Sequence, residues 1–228
     1  MGQKNGGPEP LTLPIRSVNV ARPALLGMRN GAPVLSGIRK RPVHETRIKL
    51  DPCNLEGDGQ ADLVVHGGAD KAVYGYPAAH WSFWNAEHGL SCHAGTFGEN
   101  LSLDGALEDE VRIGDIFAWG DARLQVSQPR APCYKLSMHL GRDDIAPTMV
   151  KTGRCGWYLR VLASARVACA KAALIRVDCN AAEPTVAETF RAHFSPRASF
   201  EQLERLASCS ALAEGWRAGF ARRLGKGL

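Results

Sequence analysis

The chain has 228 residues, of which 45% are hydrophobic and 22% charged, and its formal net charge is +5. This composition is typical of one globular domain with at most a small appendage, and it excludes collagen-like and disordered chains. Seven irregularly spaced cysteines without a Cys-x-x-Cys pair exclude a disulfide-rich secreted fold. We expect a cytoplasmic protein that binds neither membranes nor nucleic acids, because no secretory signal, no apolar run near ~18 residues and no single basic run occurs.

The first three quarters of the chain have the pattern of short strands. Residues 15–20, 115–119 and 122–126 alternate between apolar and polar side chains, and Gly114 and Gly120 separate the later segments. Alternation of this kind predicts half-buried strands, and residues 111–113 and 157–167 continue it. A helix is predicted around residues 77–88. The sequence therefore predicts a β-barrel or sandwich over residues 13–168, preceded by a flexible lead-in at residues 1–12.

The pattern changes to helical after about residue 170. Thr185 with Glu188, and Ser199 with Gln202, match the capping box that begins a helix, and Ser210 is a candidate cap for a third helix. Apolar residues then recur on one helical face. Residues 169–228 are therefore predicted to form a small three-helix domain, which makes the fold class β-rich with an α appendage.

A first chemically notable cluster contains His66, Gly67, Gly68 and Lys71. Two adjacent glycines let the backbone approach a ligand closely, and their amides can form an anion-binding nest. Lys71 adds a mobile cation suited to a phosphate. A plain turn with a packed histidine is the alternative, and two adjacent glycines alone favour it.

A second cluster contains Thr96, Gly98, Glu99 and Asn100. A hydroxyl, a glycine, a carboxylate and an amide so close together indicate a loop lined with hydrogen-bonding groups. Glu99 is a candidate proton donor, or a residue that orients His66. The alternative is a solvated turn whose glutamate faces water.

A third cluster places Cys133 in a stiff loop that also contains Pro129 and Pro132, between the cations Arg130 and Lys135. Nearby cations favour a thiolate, which is a nucleophile and a soft-metal ligand suited to molybdenum–sulfur chemistry. The alternative is a buried, inert cysteine.

A zinc site is a weaker hypothesis at residues 88–93. His88, Cys92 and His93 supply three ligand types, but their spacing is not that of a zinc finger and a fourth ligand is missing. The alternative there is a polar loop.

Taken together and in this order, the three clusters resemble the MOSC family, in its YiiM-like branch. The match runs from about Ile15 to the C-terminus and includes residues 55–62 and 114–117. The resemblance implies a MOSC-type β-barrel that binds molybdenum cofactor (molybdopterin), with the metal held by Cys133, followed by a three-helix domain. It also implies reductive detoxification of N-hydroxylated bases and related hydroxylamines.

The resemblance assigns the candidate site residues. It makes Cys133, His66 and Glu99 catalytic, around one pocket. The candidate cofactor-binding residues are Gly67, Gly68, Lys71, Thr96, Gly98, Asn100 and Arg130, with the two cations on the rim. Many relatives carry arginine where this chain has Lys71, which keeps the charge but loses the planar fork.

The resemblance leaves the source of electrons and the exact role of the chain open. Because no flavin or iron–sulfur segment is fused to the chain, reduction requires a separate electron-donor protein. One alternative is a non-catalytic carrier of molybdenum cofactor or sulfur, acting through a Cys133 persulfide. Another is a scaffold that holds a partner through the C-terminal helices.

Overall fold

The strands of the computed structural model, which describes residues 10–61 and 67–225, close into a barrel. In chain order they are β1 (Thr12–Val20), β2 (Ala24–Arg29), β3 (Ala32–Ser36), β4 (Arg41–Pro42), β5 (Arg47–Leu50), β6 (Val73–Pro77), β7 (Leu101–Leu103), β8 (Ile116–Trp119), β9 (Ala122–Pro129), β10 (Trp157–Ala163), β11 (Ala165–Ala168) and β12 (Ala172–Asp178). The ring order is β1-β7-β6-β10-β9-β8-β12, and β12 pairs back to β1. Only the β6–β7 pair of this ring is parallel. The β-rich fold class is therefore confirmed.

Alternating side chains place the core inside this ring. In β9, Leu124 and Val126 are fully buried while Arg123 and Gln125 between them are half-buried, as the period of two requires. The predicted strands at residues 115–119 and 122–126 form the β8–β9 hairpin. Residues 111–113 form no strand, because Arg112 makes only an isolated bridge to Thr185.

The barrel continues past the predicted boundary at residue 168. Strand β12 pairs with β1 on one side and with β8 on the other, so the ring does not close without it. Strand β1 likewise begins inside the predicted lead-in, because Thr12 pairs with Ile175. Strands β2 and β3 form a separate hairpin, and β5 pairs with β11.

Six helices accompany the strands in the described part of the chain. They are α1 (Trp81–His88), α2 (Tyr134–Leu140), α3 (Ile145–Thr152), α4 (Val186–Phe194), α5 (Phe200–Ser208) and α6 (Glu214–Gly225). The capping boxes at Thr185 and Ser199 are both present. The third helix begins at Glu214 rather than at Ser210. Helices α2 and α3 were not predicted, and the helix predicted at residues 77–88 starts only at Trp81.

The C-terminal helices rest directly on the barrel. The Val186 amide donates to the Val111 carbonyl at 2.8 Å, and the Ala213 amide donates to the Ser127 carbonyl at 2.9 Å. Phe190 of α4 is fully buried. These contacts join the two parts into one core. Within the described ranges, none of the helices has the length and apolarity that crossing a membrane requires.

Replacing Thr185 with alanine tests the first capping box. The Thr185 hydroxyl accepts a hydrogen bond from the Glu188 amide at 3.0 Å. Losing such a cap lowers the free energy of unfolding by about 1 kcal/mol, which urea denaturation measures. The control is Ser208→Ala, because the exposed Ser208 hydroxyl only donates back to the Arg205 carbonyl. Equal stabilities of the two variants would show that the cap contributes nothing.

Candidate functional site

One cavity lies beside the start of α2 and gathers side chains from most of the chain. The described residues that line it are Ser36, Gly37, Ile38, Lys40, Asp58, Gly59, Gln60, Ala61, Lys71, Tyr74, Phe97, Gly98, Asn100, Arg130, Cys133, Lys135 and Tyr158. Of the predicted site residues, it therefore brings together Cys133, Arg130, Lys71, Gly98 and Asn100.

Cys133 occupies the residue position just before α2. Its backbone is extended, with φ −133° and ψ 170°, and its carbonyl accepts the Leu136 amide at 2.9 Å. The side chain is half-buried and lies in the cavity wall. A thiol that is reachable from a cavity yet held by fixed backbone is the arrangement that a metal ligand requires.

Arg130 is buried in the wall of the cavity rather than placed on its rim as predicted. It is 5% exposed, and its guanidinium carbon lies 5.5 Å from the ring centre of Tyr74. Nη1 donates to the sulfur of Met149 at 3.4 Å, and the guanidinium interacts electrostatically with Cys133. The thiol therefore faces a fixed positive charge.

Asp58, an ordinary-looking acid in the sequence, anchors part of the cavity wall. Its Oδ1 accepts hydrogen bonds from Lys40 Nζ at 2.5 Å and from the Ala21 amide at 2.9 Å. Its Oδ2 accepts a hydrogen bond from Asn100 Nδ2 at 2.8 Å. Burial lowers the pKa of Lys40, and the ion pair with Asp58 opposes this shift. Asn100 Oδ1 also accepts a hydrogen bond from the Tyr74 amide, so the Asn100 side chain links Asp58 to Tyr74 in the cavity wall.

The Gly67–Gly68 turn does not line the cavity. The Gly68 amide donates to Gln60 Oε1 at 2.7 Å, so it is already engaged within the protein. Gln60 Nε2 in turn donates to the Lys71 carbonyl at 3.1 Å. Gly68 has φ 97°, a conformation that favours glycine. The Lys71 amide donates to the Gly68 carbonyl at 3.0 Å, so this turn holds Lys71 at the cavity, and the cofactor-binding roles of Gly67 and Gly68 stay predictions.

Glu99 and Thr96 also lie outside the cavity lining. The fully buried Glu99 carboxylate accepts the amides of Gly95 and Phe97 at 2.8 and 3.0 Å, and the Ser102 hydroxyl at 2.8 Å. Burial raises its pKa, and these hydrogen bonds oppose the shift. The Thr96 hydroxyl accepts the His93 amide. Both side chains are therefore engaged within the loop, and their expected proton-donor and cofactor-binding roles stay predictions.

Two further hypotheses have different outcomes. His66 lies outside the described residues, so its expected place beside Cys133 stays a prediction. The zinc hypothesis fails among the described residues, where no group of three or more potential ligands occurs. Instead, His88 Nδ1 forms a hydrogen bond with Asp144 Oδ2 at 2.8 Å, and His93 Nδ1 lies within hydrogen-bond distance of the Ala94 carbonyl.

The cavity is positively charged. Among its described lining residues, Asp58 is the only acid, and the bases are Lys40, Lys71, Arg130 and Lys135. Burial raises the pKa of Tyr74 well above its ordinary value and also raises that of Tyr158, so both phenols stay neutral. Such a wall favours an anionic ligand beside the thiol.

Comparison with known proteins identifies the family. The model of the MOSC domain matches residues 62–172, and that of the YiiM-like, 3-alpha helix domain matches residues 184–227. Protein YiiM of Escherichia coli is 42% identical over 172 residues, which cover 74% of this chain and 76% of that protein. The chain belongs to the MOSC family, in its YiiM-like branch. YflK of Bacillus subtilis is 39% identical over 209 residues, 92% of this chain and 93% of that protein.

Solved YiiM structures have the same fold. The crystal structure of YiiM from Geobacillus stearothermophilus matches with a TM-score of 0.78 and 32% identity, covering 93% of this chain and 99% of that chain. A protein named reductase from Gibberella moniliformis is 32% identical over 165 residues, which are 70% of this chain and 28% of that protein.

Replacing Glu99 with glutamine separates a loop-shaping role from a catalytic one. A glutamine side chain has only one oxygen. Either the Gly95 or the Phe97 backbone N–H therefore faces the glutamine NH₂ group, which cannot accept its hydrogen bond. Leaving a buried donor unsatisfied costs about 1–3 kcal/mol of unfolding free energy, measured by urea denaturation. Glu204→Gln, at an exposed position, is the control. Unchanged stability with lost activity would support the catalytic role.

Proposed function

We propose that this protein is a molybdenum-cofactor-dependent reductase of N-hydroxylated small molecules, such as N-hydroxylated purine bases. The observation that carries the proposal is the placement of Cys133 and Arg130 in one cavity with the cations Lys71 and Lys135. Molybdenum takes soft sulfur ligands, and a molybdopterin carries a phosphate that cations recognise. The donor set therefore fits this cofactor.

Each cavity residue has a distinct part in holding the cofactor. The Cys133 thiolate would ligate the metal, while Lys71 and Lys135 would contact the phosphate. Arg130 would face the ligated thiolate or the pterin from inside the wall. Lys40 is already neutralised by Asp58, so its part is to fix the wall rather than to bind the anion.

The reaction breaks the N–O bond of a hydroxylamine. When bound, the cofactor supplies the two-electron redox centre for the balanced reaction R–NHOH + 2 e⁻ + 2 H⁺ → R–NH₂ + H₂O. The protein orients the substrate between the cavity walls, and the cationic side chains that line the cavity, Lys71 and Lys135, would deliver the protons.

In this proposal another protein supplies the electrons. The Gibberella moniliformis protein named reductase matches this chain over only 28% of its own length. That relationship supports a role in which the region equivalent to this chain is one part of a larger reducing system.

Replacing Cys133 with serine tests the metal ligand. A serine hydroxyl is a hard ligand that stays protonated near pH 7, so we expect loss of bound molybdenum and a fall in turnover of roughly 100-fold or more. Elemental analysis measures the bound molybdenum, and the rate of reduction of an N-hydroxylated base with an artificial dye donor measures turnover. The control is Cys92→Ser, because burial raises the pKa of Cys92 to about 12 and keeps it a thiol.

The same measurements separate the alternatives. If Cys133→Ser keeps both metal and turnover, the proposal is wrong. If the parent protein binds molybdenum but reduces nothing with the dye donor, the carrier function replaces the reductase function.

Replacing Lys71 with glutamine tests the recognition of the phosphate. Losing one charge-assisted hydrogen bond costs about 1.5–3 kcal/mol, so the cofactor affinity should fall by roughly 10-fold or more. Fluorescence titration of the cofactor-free protein with isolated cofactor measures the affinity. Lys151→Gln is the matched control, because Lys151 lies in a different cleft beside α3. Equal affinities of the two variants would remove Lys71 from the site.

A further inference from the structure

The hairpin of β2 and β3 presents an apolar surface to solvent. Leu25, Met28 and Leu35 are 54%, 61% and 52% exposed. Leu25 pairs directly with Leu35 across the hairpin, so these two side chains share one face. Val34 and Leu26, by contrast, are buried against the body of the protein. Exposed apolar clusters of this kind mark contact surfaces for other molecules.

This surface is continuous with the Cys133 cavity. A surface groove along the hairpin shares Ala61 and Lys135 with the cavity lining. Lys135 Nζ donates to the Leu35 carbonyl at 3.2 Å, which ties α2 to the hairpin. A second groove continues the surface past Arg29 and Tyr134. The hairpin face is defined here as Leu25, Met28, Arg29, Leu35, Tyr134 and Lys135.

The hairpin face is also positively charged. Of the residues that define it, Arg29 and Lys135 are cationic and none is acidic. The Arg29 guanidinium lies 3.9 Å from the ring centre of Tyr134, which holds its charge at the surface. Among the described residues that line the two grooves, Asp143 is the only carboxylate. The face is therefore complementary to an acidic partner.

We propose that the hairpin face is the docking surface for an electron-transfer protein with an acidic face. This inference rests on the proposed function, which requires electrons from another protein. Tyr134 and Lys135 directly follow Cys133, so a protein bound here lies next to the cavity. Met, Tyr and Arg are enriched in protein interfaces, and the exposed leucines favour a protein over a nucleic acid as the occupant.

Direct binding tests the surface without any catalytic turnover. The probe is a small acidic flavodoxin, titrated into the cofactor-free protein at low ionic strength by calorimetry. We expect Arg29→Glu and Met28→Gln each to weaken binding, the charge reversal by about 10-fold or more, and salt to weaken the parent complex. Arg197→Glu is the matched control, because Arg197 is exposed on the C-terminal helical part and its charge change is the same.

Turnover of the cofactor-loaded protein separates docking from chemistry. Two reduced flavodoxin molecules, each giving up one electron, supply the two electrons that one N–O bond consumes. Arg29→Glu should slow flavodoxin-driven reduction about 10-fold while dye-driven reduction stays at the parent rate.

The outcomes distinguish the two proposals. Absence of dye-driven reduction in the parent protein contradicts the proposed function and leaves the binding result standing. Equal flavodoxin affinity of Arg29→Glu, Met28→Gln and Arg197→Glu overturns the docking surface. The docking surface is also overturned if the parent protein binds single-stranded DNA but not flavodoxin, and if Arg29→Glu and Met28→Gln weaken that DNA binding. The face would then be a nucleic-acid surface.

Discussion

The carboxylate of Asp58 joins three distant parts of the chain at the cavity. It accepts hydrogen bonds from the Lys40 ammonium, the Ala21 amide and the Asn100 side chain. Both members of the ion pair are nearly removed from solvent, with side chains 8% and 4% exposed. Breaking such a buried pair by removing one partner costs about 3–5 kcal/mol. Because Asp58 and Lys40 neutralise each other, the remaining cations of the cavity determine its charge.

The elements that were predicted correctly carry local signals. The β8–β9 hairpin combines alternation with a glycine turn, and each capping box needs only residues three apart. Strand β12 was missed because its identity as a barrel strand depends on pairing with β1, far away in the sequence. Helices α2 and α3 follow a proline-rich loop and span only seven and eight residues, too short for a clear helical period.

Cys133 and Arg130 were placed together by the sequence because they stand three residues apart in one unusual loop, and the structure puts both in the cavity wall. The metal-ligand role of Cys133 came from the family resemblance and stays a prediction. Lys40 and Asp58 were missed because each looks like an ordinary charged residue until folding buries the pair, although Asp58 stands in the 55–62 segment of the family resemblance. The sequence neighbours of Glu99 do not reveal that loop amides donate to its carboxylate, because those hydrogen bonds depend on how the loop folds.

The burial of Arg130 explains why the cavity suits an anion. No carboxylate among the described residues forms an ion pair with it, and its contacts are the Tyr74 ring, the Met149 sulfur and a hydrogen bond with Tyr158. Burying a cation without a counter-charge raises the free energy of the folded protein. A thiolate at Cys133, or an anionic ligand beside it, lowers that free energy. In the proposed function, an anionic cofactor supplies the counter-charge that the buried Arg130 guanidinium lacks among the described residues.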